Sequence, residues 1–493
     1  MTNLKENINF LKVKSRKKTI ESILEIHKES DDICIDYDKK SITYKELYKM
    51  INILSGLFNK MMLHRVILYM KNSPDFIVAY FALIKANITV IPLNTTLSVN
   101  ELEDSYRFCN ADLILIDEID LNKKFSTDIN YTSINQVRNF NIKMEGIYIN
   151  TYDKKYDIIL RTSGSTSNPK YVCFSEEKVM SNVIANIKAL NITNNDIIYI
   201  LLPMAFSYCM HAMVLSHLYV GAKLVIKTTT VLSQKQFYKI INEKHITSLG
   251  TVPQQLKQYM INDRYHENHL KKIFIGGDFA FKSFRKKVLS FFPDSDIYYT
   301  YGMTEAGPRI SNCKCNLNNI DNESVGKALE GVIIELRDEY EEKINDINIE
   351  GEVVIKSSSI MCGYLKNNNM TNKVIRDGYL FTGDIGYFNE KKDLVLTGRK
   401  KNIVKLNGIL IHLEHIEEIL QKCESVEEVM VEKLEENNLI AYVVIKKNTD
   451  DTNLVNKLKL LCEEKLGKIE TPKIIKIVDQ LPKTSNGKIK RKK

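Results

Sequence analysis

The chain has 493 residues, 44% apolar and 27% charged, an ordinary balance for a soluble protein of two or three domains. Its formal net charge of +9 leans toward anionic partners, yet Lys is interspersed with acid, as in Asp36-Tyr37-Asp38-Lys39-Lys40, and no stretch alternates basic and aromatic residues as a nucleic-acid groove would. The nine Cys and nine His form no metal-ligand spacing: Cys313 and Cys315 have no second pair nearby, so reduced thiols are expected.

In chain order, Met1 to Lys18 is polar and lacks the apolar centre of a secretory leader. The most apolar run, Phe76 to Leu93, is interrupted by Lys85, Asn87 and Pro92, which argues against a membrane span. Together these predict a cytoplasmic protein with no membrane partner. Short β-branched runs then alternate with helical patterns. Ile197–Leu202, Leu224–Lys227 and Ile273–Ile275 read as strands, Glu176–Leu190 and Ser233–Glu243 as helices. This predicts an α/β body with mostly parallel sheets. From about Gly326 to Leu396, short strands follow one another with turns at Gly331, Gly351, Gly363 and Gly378, as in a small β unit.

After Gly398 the pattern becomes that of a compact α+β domain. A helix is expected at Glu414–Gln421, a hairpin from Val426–Leu434 and Leu439–Lys446, a helix at Leu454–Leu466 and a last strand at Lys473–Val478. The predicted division is 1–398 for the body and 399–493 for the terminal domain.

One loop carries chemistry by itself. The strand Ile158-Ile159-Leu160 runs into Arg161-Thr162-Ser163-Gly164-Ser165-Thr166-Ser167-Asn168-Pro169-Lys170. Hydroxyls, backbone N–H groups and a Lys after a strand suit phosphate oxygens. A polar surface turn is the plain alternative, and the Walker spacing is absent.

This loop resembles the [ST]-S-G-[ST]-T-G-x-P-K-G signature of the adenylate-forming superfamily, which includes acyl-CoA synthetases, luciferases and peptide-synthetase adenylation domains. Ser167 and Tyr171 stand where that signature has Gly. Further segments match in order along essentially the whole chain: Lys71-Asn72-Ser73-Pro74-Asp75 to Ile91-Pro92-Leu93-Asn94, with Asn87 where Gly is usual; Tyr301-Gly302-Met303-Thr304-Glu305; Thr382-Gly383-Asp384; Gly398-Arg399-Lys400-Lys401 through Lys405-Leu406-Asn407-Gly408; and Pro482-Lys483-Thr484-Ser485-Asn486-Gly487-Lys488. The implied fold is α/β: a large N-terminal domain of α/β subdomains, a small β-barrel-like unit, and a small mobile α+β C-terminal domain hinged near Lys401.

The resemblance also implies roles. A carboxylate and the α-phosphate of ATP are both anions, so positive charge and fixed geometry must bring them together. Lys488 would bridge them during adenylation, Glu305 would hold Mg2+, and Thr304 would contact the phosphates. ATP and AMP would also meet Thr162, Ser163, Gly164, Ser165, Thr166, Lys170, Gly276, Gly277, Asp278, Tyr301, Gly302, Asp384 and Arg399, with Asp384 expected just past the Tyr379-Leu380-Phe381 strand and turned to the ribose. After the terminal domain swings, the turn from Lys405 to Gly408 would approach a thiol channel. Leu413 and His415, where Pro and Glu are usual, bear on that packing. Phe206, Ser207, Cys209, His211, Val252 and Met303 would line the acid pocket, with Pro253 a further apolar wall. Relatives that activate α-amino acids have Asp at the position of Ser207, so a small fatty or aromatic acid is expected instead. CoA or the phosphopantetheine arm of a carrier protein would accept the acyl group. A non-catalytic nucleotide or acyl binder, suggested by the two lost glycines, is the reading from another class.

Overall fold

The computed structural model describes residues 19–139, 156–162, 169–228, 232–261, 269–316, 324–406, 409–434, 438–446, 453–483, 489 and 491. Lys488, Ser163 to Ser167, and Asn407 with Gly408 therefore lie outside the described residues, as does the side chain of Lys405.

Two large sheets form the body. In the nine-stranded sheet the parallel centre runs Ile33–Tyr37, Lys223–Ile226, Ile197–Tyr199, Ser248–Thr251, Lys272–Gly276 and Asp296–Tyr301, with antiparallel strands only toward the edges. In the seven-stranded sheet Thr89–Pro92, Arg65–Tyr69, Leu113–Ile116 and Tyr131–Ser133 are parallel; Ile158–Thr162 joins them and turns back into Lys170–Phe174. These strands are short apolar runs because helices cover both faces of a parallel sheet. The helices Pro74–Lys85 and Glu176–Ala189 carry side chains into one core shared by the two sheets, with Phe76, Tyr80, Val183, Met213 and Ile226 inside it.

Local chemistry fixes several boundaries. Ser73 caps the helix Pro74–Lys85 through the Phe76 N–H, with Pro at its first turn. The apolar run continues through Asn87 into the strand Thr89–Pro92; Asn87 takes φ +60°, a conformation Asn tolerates where Gly is usual in relatives. Tyr171, at another lost glycine, is buried in a satellite core; its hydroxyl donates to Ser105 Oγ at 2.8 Å and its ring stacks on Phe108. That substitution is absorbed by packing on the strand face. No helix of the described residues is long and apolar enough to cross a membrane. None of the nine cysteines is in a disulfide.

The β unit is a six-stranded antiparallel sheet built on Val332–Arg337, Gly351–Ser357, Tyr379–Phe388 and Leu394–Arg399. Here the reading of Asp384 needs correction: it lies inside the strand Tyr379–Phe388, not beyond its end. Gly383 at φ +72° shifts the register against Gly351–Ser357, so the strand bulges and continues.

The chain after Gly398 has a core of its own, with Leu406, Ile416, Leu420, Val431, Val443 and Leu458 packed together. Helices Leu413–Gln421 and Leu454–Leu466 lie with a three-stranded sheet of Val426–Leu434, Asn438–Ile445 and Ile474–Ile477. Leu413 opens its helix and is buried, so an apolar side chain replaces the usual Pro without loss of packing. His415 is exposed and 4.0 Å from Glu470.

Polar contacts join this part to the body. Lys400 Nζ meets Glu352 at 2.7 Å, and Gln254 Nε2 donates to Glu428 Oε1 at 2.6 Å, an oxygen also taken by Lys483. His412 Nε2 pairs with Glu350 at 3.2 Å. That bond raises the His412 pKa and lowers that of Glu350. The pair therefore contributes while Glu350 is ionised and His412 protonated; its contribution fades as pH rises through the raised His412 value and as it falls through the lowered Glu350 value. Because Glu350 is partly exposed, the gain should be under about 1 kcal/mol. His412→Asn should flatten the pH dependence of thermal stability between about pH 6 and about pH 8 relative to the parent protein, measured by melting curves across that range.

Candidate active site

The C-terminal ends of the parallel strands, the β unit and the start of the terminal domain bring acidic and basic side chains together. Tyr301 ends the strand Asp296–Tyr301. Its hydroxyl donates to Asp384 Oδ2 at 2.7 Å, while Arg399 Nε meets Asp384 Oδ1 at 2.8 Å. Thr382 Oγ1 accepts from the Asp384 N–H and donates to the Val353 carbonyl, which holds the bulge in place. Asp384 is 5% exposed, so these partners meet it in a nearly closed site. The Asp384 charge, with Tyr301 and Glu305 beside it, holds the Arg399 pKa above its ordinary value. Both carboxylate oxygens keep a second lone pair with which to accept ligand hydroxyls.

A second group centres on Glu305, in the short turn Thr304–Ala306 after Met303. Tyr364 donates to Glu305 Oε1 at 2.9 Å, and Lys170 Nζ sits 5.2 Å from the centre of the Tyr364 ring. Tyr364 was not anticipated; only its neighbour Gly363 marked the segment in the sequence, as a turn. Gly302 precedes this group because a Cβ there would run into the Pro308 carbonyl of the returning chain.

Lys401 completes the electropositive side. Partial burial and the charges of Arg399, Arg491 and Lys170 push its ammonium down to about 8, with Asp384 opposing the shift. Lys401 is thus close enough to Arg399 and Lys170 to be repelled by both. A polyanion between them would relieve that repulsion, which is what a triphosphate supplies.

The residues expected to line the acid pocket fall into two sets. Phe206, Val252 and Met303 are half-buried, and Ser207 Oγ donates to Thr304 Oγ1 at 3.4 Å. Gly276 and Gly277 form the turn after the strand Lys272–Gly276, with Val252 against Gly277. Asp278 is exposed and accepts from the Phe279 N–H, the pattern of a local turn. The other set points into the core. Cys209 is fully buried with its thiol on the Leu202 carbonyl, and burial pushes its pKa up. His211 is fully buried in a π-helical turn, 3.4 Å from the Tyr80 hydroxyl and edge-on to Phe174; burial pushes its ring down to about 3, so it is neutral at pH 7. Thr162 lies at the mouth of the phosphate-loop strands, donating to the Lys170 carbonyl at 3.5 Å.

One buried cation here had no counterpart in the sequence reading. Arg309 is 3% exposed, on the chain returning from the Glu305 turn. Its Nε donates to Asn186 Oδ1 at 3.2 Å, its Nη1 to Thr300 Oγ1, and its guanidinium lies 4.2 Å from the centre of the Tyr208 ring. The only sequence signal was a charged residue at Pro308-Arg309, directly after the Glu305 segment.

Two α/β sheets, an antiparallel β unit and a small α+β domain, meeting around acidic and cationic side chains, define an enzyme of the adenylate-forming superfamily. The profile of the AMP-binding enzyme matches residues 25–365, and that of the AMP-binding enzyme C-terminal domain matches residues 415–488; the chain belongs to the AMP-binding enzyme family. The 2-succinylbenzoate–CoA ligase of Lactococcus lactis subsp. lactis is 28% identical over 455 residues, spanning 91% of this chain and 93% of that one. The enzyme of that name from Listeria monocytogenes serotype 4b is 26% identical over 472 residues, with 93% and 94% covered. Among solved structures, o-succinylbenzoate CoA synthetase from Bacillus subtilis with its acyl-adenylate superposes with a TM-score of 0.84 at 19% identity, covering 97% of each chain. The anthranilate CoA ligase AuaEII with anthranoyl-AMP gives 0.84 at 18% identity, covering 96% of this chain and 95% of that one. At these identities the two structures show a common fold.

The Tyr301–Asp384–Arg399 contacts carry a stability prediction. Tyr301→Phe should cost about 1 kcal/mol and Asp384→Ala about 1–3 kcal/mol, since the latter strands a partly buried guanidinium. The double variant should lose less than the sum, because both changes break one shared bond. Urea unfolding of the four proteins checks this.

Proposed function

We propose that the chain is an AMP-forming acid–thiol ligase that activates an aromatic or fatty carboxylic acid with ATP and transfers the acyl group to CoA. The observation that carries this reading is the meeting of Asp384, Arg399, Lys170, Lys401 and Glu305 around one space at the strand ends. The curated relatives are ligases of 2-succinylbenzoate and CoA, which makes an aromatic acid the first candidate.

In the first half-reaction a carboxylate oxygen attacks the α-phosphorus and the bond to pyrophosphate breaks, leaving acyl-AMP. Asp384 accepts from the ribose hydroxyls, Tyr301 and Gly276 to Asp278 border the adenine, and Lys170 with Thr162 and the loop Ser163 to Thr166 holds the phosphates. Lys488 bridges the two anions. Glu305 suits magnesium: its carboxylate is nearly enclosed, and among the described residues only Tyr364 donates to it, at one oxygen. One protein carboxylate is enough where triphosphate oxygens and water complete the shell. When bound, the ion neutralises charge on the pyrophosphate side.

In the second half-reaction a thiolate attacks the acyl carbonyl and AMP leaves with its C–O bond electrons. We assign residues 399–493 to a lid that turns about Lys401 between the steps, withdrawing Lys488 and bringing the Lys405 to Gly408 turn toward the thiol. Phe206, Ser207, Val252 and Met303 border the acid, with Cys209 and His211 backing this wall. A carrier-protein phosphopantetheine ends in the same thiol and is the alternative acceptor.

Lys488→Ala should lower acid-dependent formation of acyl-AMP by about 1,000-fold, while thioester formation from supplied acyl-AMP and CoA changes little. Single-turnover assays of each half-reaction with mass detection of the thioester measure both. Equal loss in both would remove the lid assignment, and thioester on a carrier protein but none on CoA would change the acceptor.

A further inference from the structure

Arg309 is out of balance with its surroundings. Its side chain is almost wholly enclosed, yet its neighbours are neutral: the Thr300 hydroxyl, the Asn186 carbonyl oxygen and the Tyr208 ring. Among the described residues Nη2 has no hydrogen-bond partner and no carboxylate pairs with the guanidinium. A charge removed from water is ordinarily paired or neutralised, and arginine does not give up its proton.

Its position says what could complete it. Tyr208, on which it stacks, directly follows Phe206 and Ser207 of the proposed acid wall. Gly276 begins the opposite turn, where an added Cβ would run into Thr300 and come within 3.3 Å of Arg309 Nη1, so the missing side chain leaves room for the Thr300–Arg309 pair. Thr300, its hydroxyl partner, immediately precedes Tyr301 of the nucleotide side. The arginine thus lies against Tyr208, next in the chain to the proposed acid wall, and against Thr300, next in the chain to Tyr301. His211 on the neighbouring turn is neutral and offers no competing charge.

We propose that Arg309 is the specificity residue for a second anionic group on the substrate, so that the acid activated here carries an additional carboxylate or equivalent anion at the end remote from the one that meets ATP. This deepens the acid–CoA ligase reading and rests on it. A carboxylate is matched to the guanidinium fork and makes charge-assisted bonds to it. A monocarboxylic acid of the same size leaves the cation unpaired and is rejected.

The test pairs 2-succinylbenzoate, adipate and phthalate with the same skeletons in which one carboxylate is replaced by methyl, following pyrophosphate release by the full chain. At least one diacid should exceed its methyl partner by about 100-fold or more in kcat/KM, as expected where a buried polar group would otherwise go unpaired. Arg309→Met should abolish the preference by losing the diacid and retaining the methyl partner, and Arg309→Lys should restore part of it. ATP binding of each variant reports whether the fold survives. If Arg309→Met does not bind ATP, the parent protein's own ratio decides. Equal use of diacids and their methyl partners by the parent, or equal loss of both in Arg309→Met, overturns the role of Arg309 and leaves the ligase reading standing. Release with neither class overturns the ligase reading and this inference together.

Discussion

Repulsion between like charges organises this molecule. On the protein's side, Lys401 is partly buried with Arg399, Arg491 and Lys170 near it, and burial first, then these charges, depress its ammonium. On the reactants' side, a carboxylate and a triphosphate cannot approach without compensating charge. A triphosphate between the cations would relieve both, and the fold leaves the groups in place for it: the strand Asp296–Tyr301 ends at Tyr301, the bulge at Gly383 points Asp384 at it, and Arg399 pairs with Asp384 at the end of its own strand.

The acids in the site divide the work by environment. Asp384 is engaged from two sides, by the Tyr301 hydroxyl and by Arg399, which fixes its orientation. Glu305 is held at one oxygen by Tyr364, which in turn lies under Lys170, so the proposed phosphate-binding cation and the proposed metal carboxylate are tied through one ring. Tyr364 belongs to the two-residue strand that pairs with Lys170–Phe174, so the sheet itself sets this distance. The same strand carries Tyr171, whose side chain faces the core instead, as alternation along a strand requires.

Much of this architecture was legible in the sequence. The α/β body, the change to a β unit after Gly326 and the terminal α+β domain followed from periodicity, and Leu454–Leu466 matches its expected bounds. Strands such as Ile197–Tyr199 ended short of expectation because apolar residues continue past the last ladder bond. Asp384 was misjudged because a positive-φ glycine can act as a bulge as well as a stop. Motif residues could be named, but not which way each side chain turns: Cys209 and His211 share a helical turn with Ser207 and face the core. Arg309 and Tyr364 were missed since each gains its meaning from partners far away in sequence, and period and spacing carry no such information.

Exchange of labelled pyrophosphate into ATP tests the central claim most directly, because it reports reversible acyl-AMP formation with no thiol present. Exchange that appears only when a carboxylic acid is added, and that collapses when Lys170 and Arg399 are neutralised, is the outcome this account requires. Exchange indifferent to the acid, or undiminished in those variants, would contradict it.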